Sequence, residues 1–97
     1  MVQNIRTLRI PAGGKKIIFE KPFALCRIFF SINVMTSPTE WYETKISFDD
    51  PLFHTYYSLN GSRKYFEAKG VDIFQGNIWV WNQSTVGLVF SATEILQ

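Results

Sequence analysis

The stretch GVDIFQGNIWVWNQSTVGLVFSATEIL, residues 70 to 96, decides the fold. Ile78 and Val80 alternate with Trp79 and Trp81, β-branched and aromatic residues at period two, which suits a pleated, half-buried strand. Asn82-Gln83-Ser84-Thr85 is a polar break. Beyond it Val86, Leu88, Phe90 and Ala92 alternate with Gly87, Val89, Ser91 and Thr93. The two runs read as a hairpin, and a hairpin hides its apolar face only when other strands lie over it. The rest of the chain is expected to supply those strands.

FALCRIFFSINV, residues 23 to 34, is the clearest strand upstream. Ala24, Cys26, Ile28, Phe30, Ile32 and Val34 form one apolar register and are expected to face the core, with Phe23, Leu25, Arg27, Phe29, Ser31 and Asn33 on the other face. Before it, QNIRTLRI (3–10) and KKIIFE (15–20) flank Ala12-Gly13-Gly14 and read as a second hairpin, because glycine supplies positive φ at little steric cost. After it, WYETKISF (41–48) puts Tyr42, Thr44, Ile46 and Phe48 in phase, and Asp49-Asp50-Pro51 ends that strand. A helix opened by Ser37-Pro38-Thr39-Glu40 is the weaker reading there. LFHTYYSL and SRKYFEAK would pair across Asn60-Gly61 as a third hairpin. Val71-Asp72-Ile73-Phe74, between Gly70 and Gly76, is a further short strand or an approach to the last one. About eight strands at regular spacing imply an all-β fold, a single antiparallel β-sandwich or jelly-roll-like domain over residues 1–97.

Composition bounds the function. In 97 residues, 46% are apolar and 19% charged, so the chain is neither disordered nor heavily charged. Nine Phe, four Tyr and three Trp are more aromatics than so small a core holds, so some are expected to face solvent, a ligand or another subunit. Residues 1–27 carry Arg6, Arg9, Lys15, Lys16, Lys21 and Arg27 against Glu20 alone, whereas the remainder has four basic and seven acidic residues. That asymmetry suits docking on an acidic surface, and it equally suits solvated strand edges that discourage aggregation. Cys26 is the single cysteine, which leaves no intrachain disulfide, and its phase with apolar neighbours points to a buried, inert thiol. MVQNIRTLRI has no apolar core of signal-peptide length, and the apolar stretch around 23–35 is too short and too interrupted for a membrane span.

No catalytic or metal-binding motif stands out, so no enzyme, cofactor or metal is expected. His54 is the sole histidine. A cation shared by Asp49, Asp50 and His54 competes with the simpler reading of a solvated turn. Glu40 and Glu43, three apart in a strand, would point to opposite faces rather than pair. Gly13-Gly14-Lys15-Lys16 lacks the leading glycine and trailing hydroxyl of a phosphate-binding loop. Nucleic acid is a poor fit because the basic residues come early and the tryptophans late. Two binding roles stay open. Trp41-Tyr42, Tyr56-Tyr57 and Trp79/Trp81 would offer flat platforms to a glycan. The same rings would equally anchor a homo-oligomer, with a trimer among its possible forms, while Arg6, Arg9, Lys15 and Lys16 meet an acidic neighbour. One buried aromatic stabilises such a contact by roughly 2 kcal/mol, so a few per subunit suffice in a symmetric assembly.

Gly70-Val71-Asp72-Ile73-Phe74, then Gly76-Asn77-Ile78-Trp79-Val80-Trp81-Asn82, closing on Ser91-Ala92-Thr93-Glu94-Ile95, resembles the C-terminal ends of small tailed-phage virion proteins of the decoration, cement and head-fibre kinds. The resemblance covers about thirty residues. It implies a β-sandwich that oligomerises on a virion surface beside other virion proteins, after synthesis in the host cytoplasm, and it transfers no functional residue.

Overall fold

A computed structural model describes residues 1–36, 38–70 and 75–97, and among these it contains eight strands and no helix. They are β1 (Val2–Ile10), β2 (Lys15–Phe19), β3 (Arg27–Val34), β4 (Glu43–Phe48), β5 (Tyr57–Asn60), β6 (Tyr65–Lys69), β7 (Ile78–Asn82) and β8 (Leu88–Leu96). Sheet A has the order β1-β8-β3-β6 and sheet B the order β2-β7-β4-β5, and every pairing is antiparallel. Successive strands alternate between the two layers except β4 and β5, which is the strand order of an eight-stranded jelly roll.

The alternation of apolar residues explains the layering. On β7, Ile78 and Val80 are buried; on β8, Leu88, Phe90 and Ala92 are; on β3, Phe30, Ile32 and Val34 are. Each strand thus has one face to hide, and facing layers hide all of them together. With Tyr42, Ile46, Leu59 and Phe66 they make one core. The radius of gyration, 12.9 Å, is that of one domain of this length.

The layering overturns all three expected hairpins. The Gly13 turn, at φ 75°, joins β1 of sheet A to β2 of sheet B, and residues 83–87 join β7 of sheet B to β8 of sheet A. Asn60-Gly61 does turn the chain: Asn60 and Arg63 exchange backbone hydrogen bonds of 2.9 and 3.0 Å. One bridge later the strands part, because β5 completes a ladder on β4 and β6 one on β3. Turn chemistry is local, and it says nothing about which layer receives the next strand.

Bulges account for the misread registers. Ile28 is an extra residue where β3 faces β8, since Arg27 opposes Leu96 while Phe29 opposes Ile95. The insertion switches the phase, so Arg27 and Phe30 point the same way, into the core. Arg27, expected outside, is fully buried, whereas Ala24 is exposed at φ 65° and Cys26 and Ile28 are half-buried. A second shift between Ile17 and Phe19 lets the consecutive Ile18 and Phe19 both face inward. Strands also begin later than expected: residues 23–26 and 52–56 are loop. The expected short strand at 71–74 lies outside the described residues.

Polar groups seal the end and one side of the sandwich. Arg27 Nε meets Glu94 Oε1 at 2.9 Å, and its Nη atoms donate to the carbonyls of Gly76 and Glu20, each at 2.9 Å. Asn4 donates to the other Glu94 oxygen at 2.9 Å. Beginning at Phe30, the cross-strand neighbour of Glu94, the rings of Phe30, Phe48, Phe66 and Tyr57 pack edge-on or tilted at centroid distances from 4.9 to 6.2 Å. Gly76 faces the Asp49 side chain so closely that a Cβ would collide with its carboxyl group. Gly76→Ala is therefore expected to displace the start of the β4–β5 loop and destabilise the fold by roughly 1–2 kcal/mol, read by urea denaturation. An unchanged midpoint would contradict that packing.

Candidate functional site

The outer face of sheet B gathers the largest group of the expected binding residues. Lys15 of β2, Trp81 of β7, Lys45 of β4 and Ser58 of β5 stand in one cross-strand row. Neighbours in such a row touch. The Lys15 ammonium lies 4.3 Å from the Trp81 ring centroid, and that of Lys45 lies 5.7 Å from it and 4.1 Å from the Tyr56 ring. Cation–π attraction of this kind contributes about 0.5–1 kcal/mol at an exposed site. Among the described residues, no carboxylate forms an ion pair with either lysine.

The loop of residues 49–56 folds over this row. Phe53 is buried with its ring 5.5 Å from that of Trp81, under the Lys15 ammonium at 5.4 Å. Two non-glycine residues adopt left-handed φ to achieve this, Asp49 at 53° and Phe53 at 55°. Each such residue costs roughly 1–2 kcal/mol. The Asp50 carboxylate offsets the cost by accepting hydrogen bonds from the N–H groups of Leu52 (3.1 Å), His54 (2.7 Å) and Thr55 (3.4 Å), with the His54 ring 3.3 Å away. Partial desolvation pushes the Asp50 carboxyl up, but the hydrogen bonds from His54, Leu52 and Thr55 outweigh it and hold it below its usual value. A depressed carboxylate stabilises the loop above its unfolded-state pKa, and that contribution disappears as pH falls through the lower, folded one. In a Trp41→Phe background, tryptophan emission is expected to shift to the red only as pH falls below the ordinary carboxylate range, as Phe53 lifts off Trp81, and Asp50→Ala is expected to shift it at neutral pH. Emission flat below that range would separate the loop from the carboxylate.

The other expected site residues are scattered. Tyr42 is 3% exposed, which removes it from any binding surface; it faces inward in phase with Thr44 and Ile46, and burial raises its phenol pKa. Tyr57 is 44% exposed and packs its ring on Phe48 and Phe66 at the rim of the core, and Trp79 is half-buried beside Ile17 and Ser47. Trp41 stands alone, 66% exposed, with its ring edge against Gly61. Arg6 spans the seam between the layers, its Nη1 donating to the carbonyls of Ile17 and Ile18 at 3.1 and 3.0 Å. The Arg9 guanidinium lies across Gly87, and Lys16 is exposed.

Sequence reasoning missed Lys45 and Phe53 on this face. Lys45 was legible only once β4 and β7 were known to be neighbours, and Phe53 carries no signal beyond being an aromatic in a loop. It also missed the outer face of sheet A, which no other strand covers among the described residues. There Phe29 and Ile95 oppose each other, with Ile5 diagonal to Ile95, and Ile5 is 70% exposed. Thr7, Ser91, Asn33 and Tyr65 continue the face as a polar row.

Among the described residues, no three His, Cys, Asp or Glu side chains are placed to hold a metal. Both Asp50 oxygens are turned to the loop's own donors, and the Gly13-Gly14 segment is a corner between layers. No helix among these residues is long and apolar enough to cross a membrane. Compared with known proteins, the chain matches no family model and no curated protein sequence.

Proposed function

We propose that this protein is a non-enzymatic structural subunit that self-associates through an apolar β-face, in the manner of a phage virion surface protein of the decoration or head-fibre kind. The observation that carries the proposal is the outer face of sheet A, which no other strand covers among the described residues and which brings exposed Ile5 together with half-buried Ile95 and Phe29 at one end. Large side chains elsewhere on the surface, Phe23 at 93% and Leu52 at 70% exposure, add to the apolar area a small domain leaves in water. Jelly rolls recur in viral capsid and lectin domains, which suits the virion role and the runner-up equally. The anchor differs from the one expected: Trp81 is covered by Phe53, so the contact passes from sheet B to sheet A. Sedimentation velocity at micromolar concentration tests the proposal. A homo-oligomer that dissociates on Phe29→Glu, with circular dichroism unchanged, supports it; a monomer under all conditions refutes it.

Trp41 favours a second reading, a carbohydrate-binding module. Its ring is the most exposed of the tryptophans, with its edge against Gly61. Glycan binding by the wild type that disappears in Trp41→Ala would select this reading.

A further inference from the structure

The two sheets have four edges, and three of them are protected against pairing with another chain. β2 carries a bulge, and Arg6 occupies the carbonyls of Ile17 and Ile18. β5 is four residues long, and β6 is five with Lys69 at its end. Bulges, short length and lysine are the usual defences of an edge strand. β1 has none of these three, and its two charges are engaged within the chain, Arg6 on the carbonyls of Ile17 and Ile18 and Arg9 over Gly87. It runs nine residues, pairs with β8 without a register shift, and holds no proline. On its other edge alternate residues present N–H and C=O groups, and from Val2 to Arg9 none has a hydrogen-bond partner on that side among the described residues.

We infer that the free edge of β1 pairs antiparallel with β1 of a second copy, joining two copies of sheet A into one continuous eight-stranded sheet about a two-fold axis. The register follows from the side chains. Opposed residues of an antiparallel pair share a face, so an axis perpendicular to the sheet must pass through a residue. An axis through Arg6 opposes two guanidinium groups. An axis through Thr7 sets Ile5 against Arg9, and one through Asn4 sets Val2 against Arg6. The axis through Ile5 opposes Ile5 to Ile5, Gln3 to Thr7, Asn4 to Arg6 and Val2 to Leu8. It alone pairs apolar with apolar, polar with polar, and places no like charges opposite each other. It also doubles the Ile5, Ile95 and Phe29 cluster across the axis, on the same outer face. The inference rests on the self-association reading above, but not on the virion role.

Cysteine cross-linking tests it in a Cys26→Ser background. Directly opposed residues bring their Cα atoms to about 4.5–5.5 Å, within disulfide range. Ile5→Cys is therefore expected to form a covalent dimer on mild oxidation. Thr7→Cys is not, because its copies would sit about 14 Å apart along the paired strands. The Gln3→Cys/Thr7→Cys double variant is expected to cross-link again. Without oxidant, Ile5→Arg should weaken dimerisation at least tenfold by sedimentation while leaving the circular dichroism spectrum intact. An oligomer in which Thr7→Cys links as readily as Ile5→Cys, or in which Ile5→Cys does not link, overturns the edge pairing and leaves the face contact standing. A wild-type monomer overturns both.

Discussion

Replacing Arg27 with methionine is expected to lower stability by about 3–5 kcal/mol, the penalty for leaving one partner of a buried ion pair unpaired. Arg27 is fully buried, and its guanidinium meets the Glu94 carboxylate, Gly76 carbonyl and Glu20 carbonyl together. Without it, Glu94 would keep Asn4 as its one side-chain donor among the described residues. For a domain of this size each kcal/mol moves the melting temperature by roughly 4–8 °C, so the variant should melt well over 10 °C lower. Arg27→Lys should recover little, since one ammonium cannot reach three acceptors in the plane that a guanidinium spans. The revealing comparison is Arg27→Met/Glu94→Leu. Removing both charges removes the stranded carboxylate, so the double variant should regain most of the loss despite the two carbonyls left without a donor. If it melts no higher than Arg27→Met, the carboxylate is not what the arginine serves.

The second large effect is expected at Asn82. Its amide nitrogen lies 3.0, 3.3 and 2.9 Å from the carbonyls of Ile10, Pro11 and Val86, and its oxygen accepts the Ser84 N–H at 2.9 Å. One buried side chain thus ties the corner after β1 to the corner after β7. The next turn residue extends the tie, because Ser84 Oγ accepts the Glu43 N–H at 2.9 Å. Asn82→Ala leaves several buried groups without partners at about 1–3 kcal/mol each, non-additively, and should cost about 3 kcal/mol in total. Asn82→Asp should be worse, because it aims a charge at three carbonyl oxygens. Urea midpoints ranking wild type above alanine above aspartate would bear this out. Aspartate equal to wild type would sink it.

These two residues also mark where sequence reading succeeds and fails. The all-β class was legible because Leu88, Phe90 and Ala92, like Tyr42, Thr44 and Ile46, keep period two, and all six are buried. Asn82 was read as part of a polar break, which is right about the turn and silent about its burial. Arg27 was placed outside because period two was extended through residue 28, and a bulge leaves no mark in the amino-acid pattern. Layer assignment was illegible for a similar reason. Asn60-Gly61 and Gly13-Gly14 specify that the chain turns, whereas the destination is set by which ladder and which core face give more burial. The site fared likewise. Lys15 and Trp81 do meet, and Lys45 links Trp81 to Tyr56, but only pairing of β2, β7 and β4 brings them together, and the covering Phe53 depends on two left-handed residues that carry no glycine.

The nine-residue ladder between β1 and β8 has a consequence for how the molecule is made. Within this domain the first strand finds its partner only when the eighth has emerged, and until then β1 and β3 have a gap of one strand between them. Nearly every stabilising pairing in this topology is distant along the chain, which places its folding in the slow, millisecond-to-second regime of β-rich domains. Nascent chains would therefore carry open, sticky edges throughout synthesis, and a chaperone that shields extended segments should raise the soluble yield.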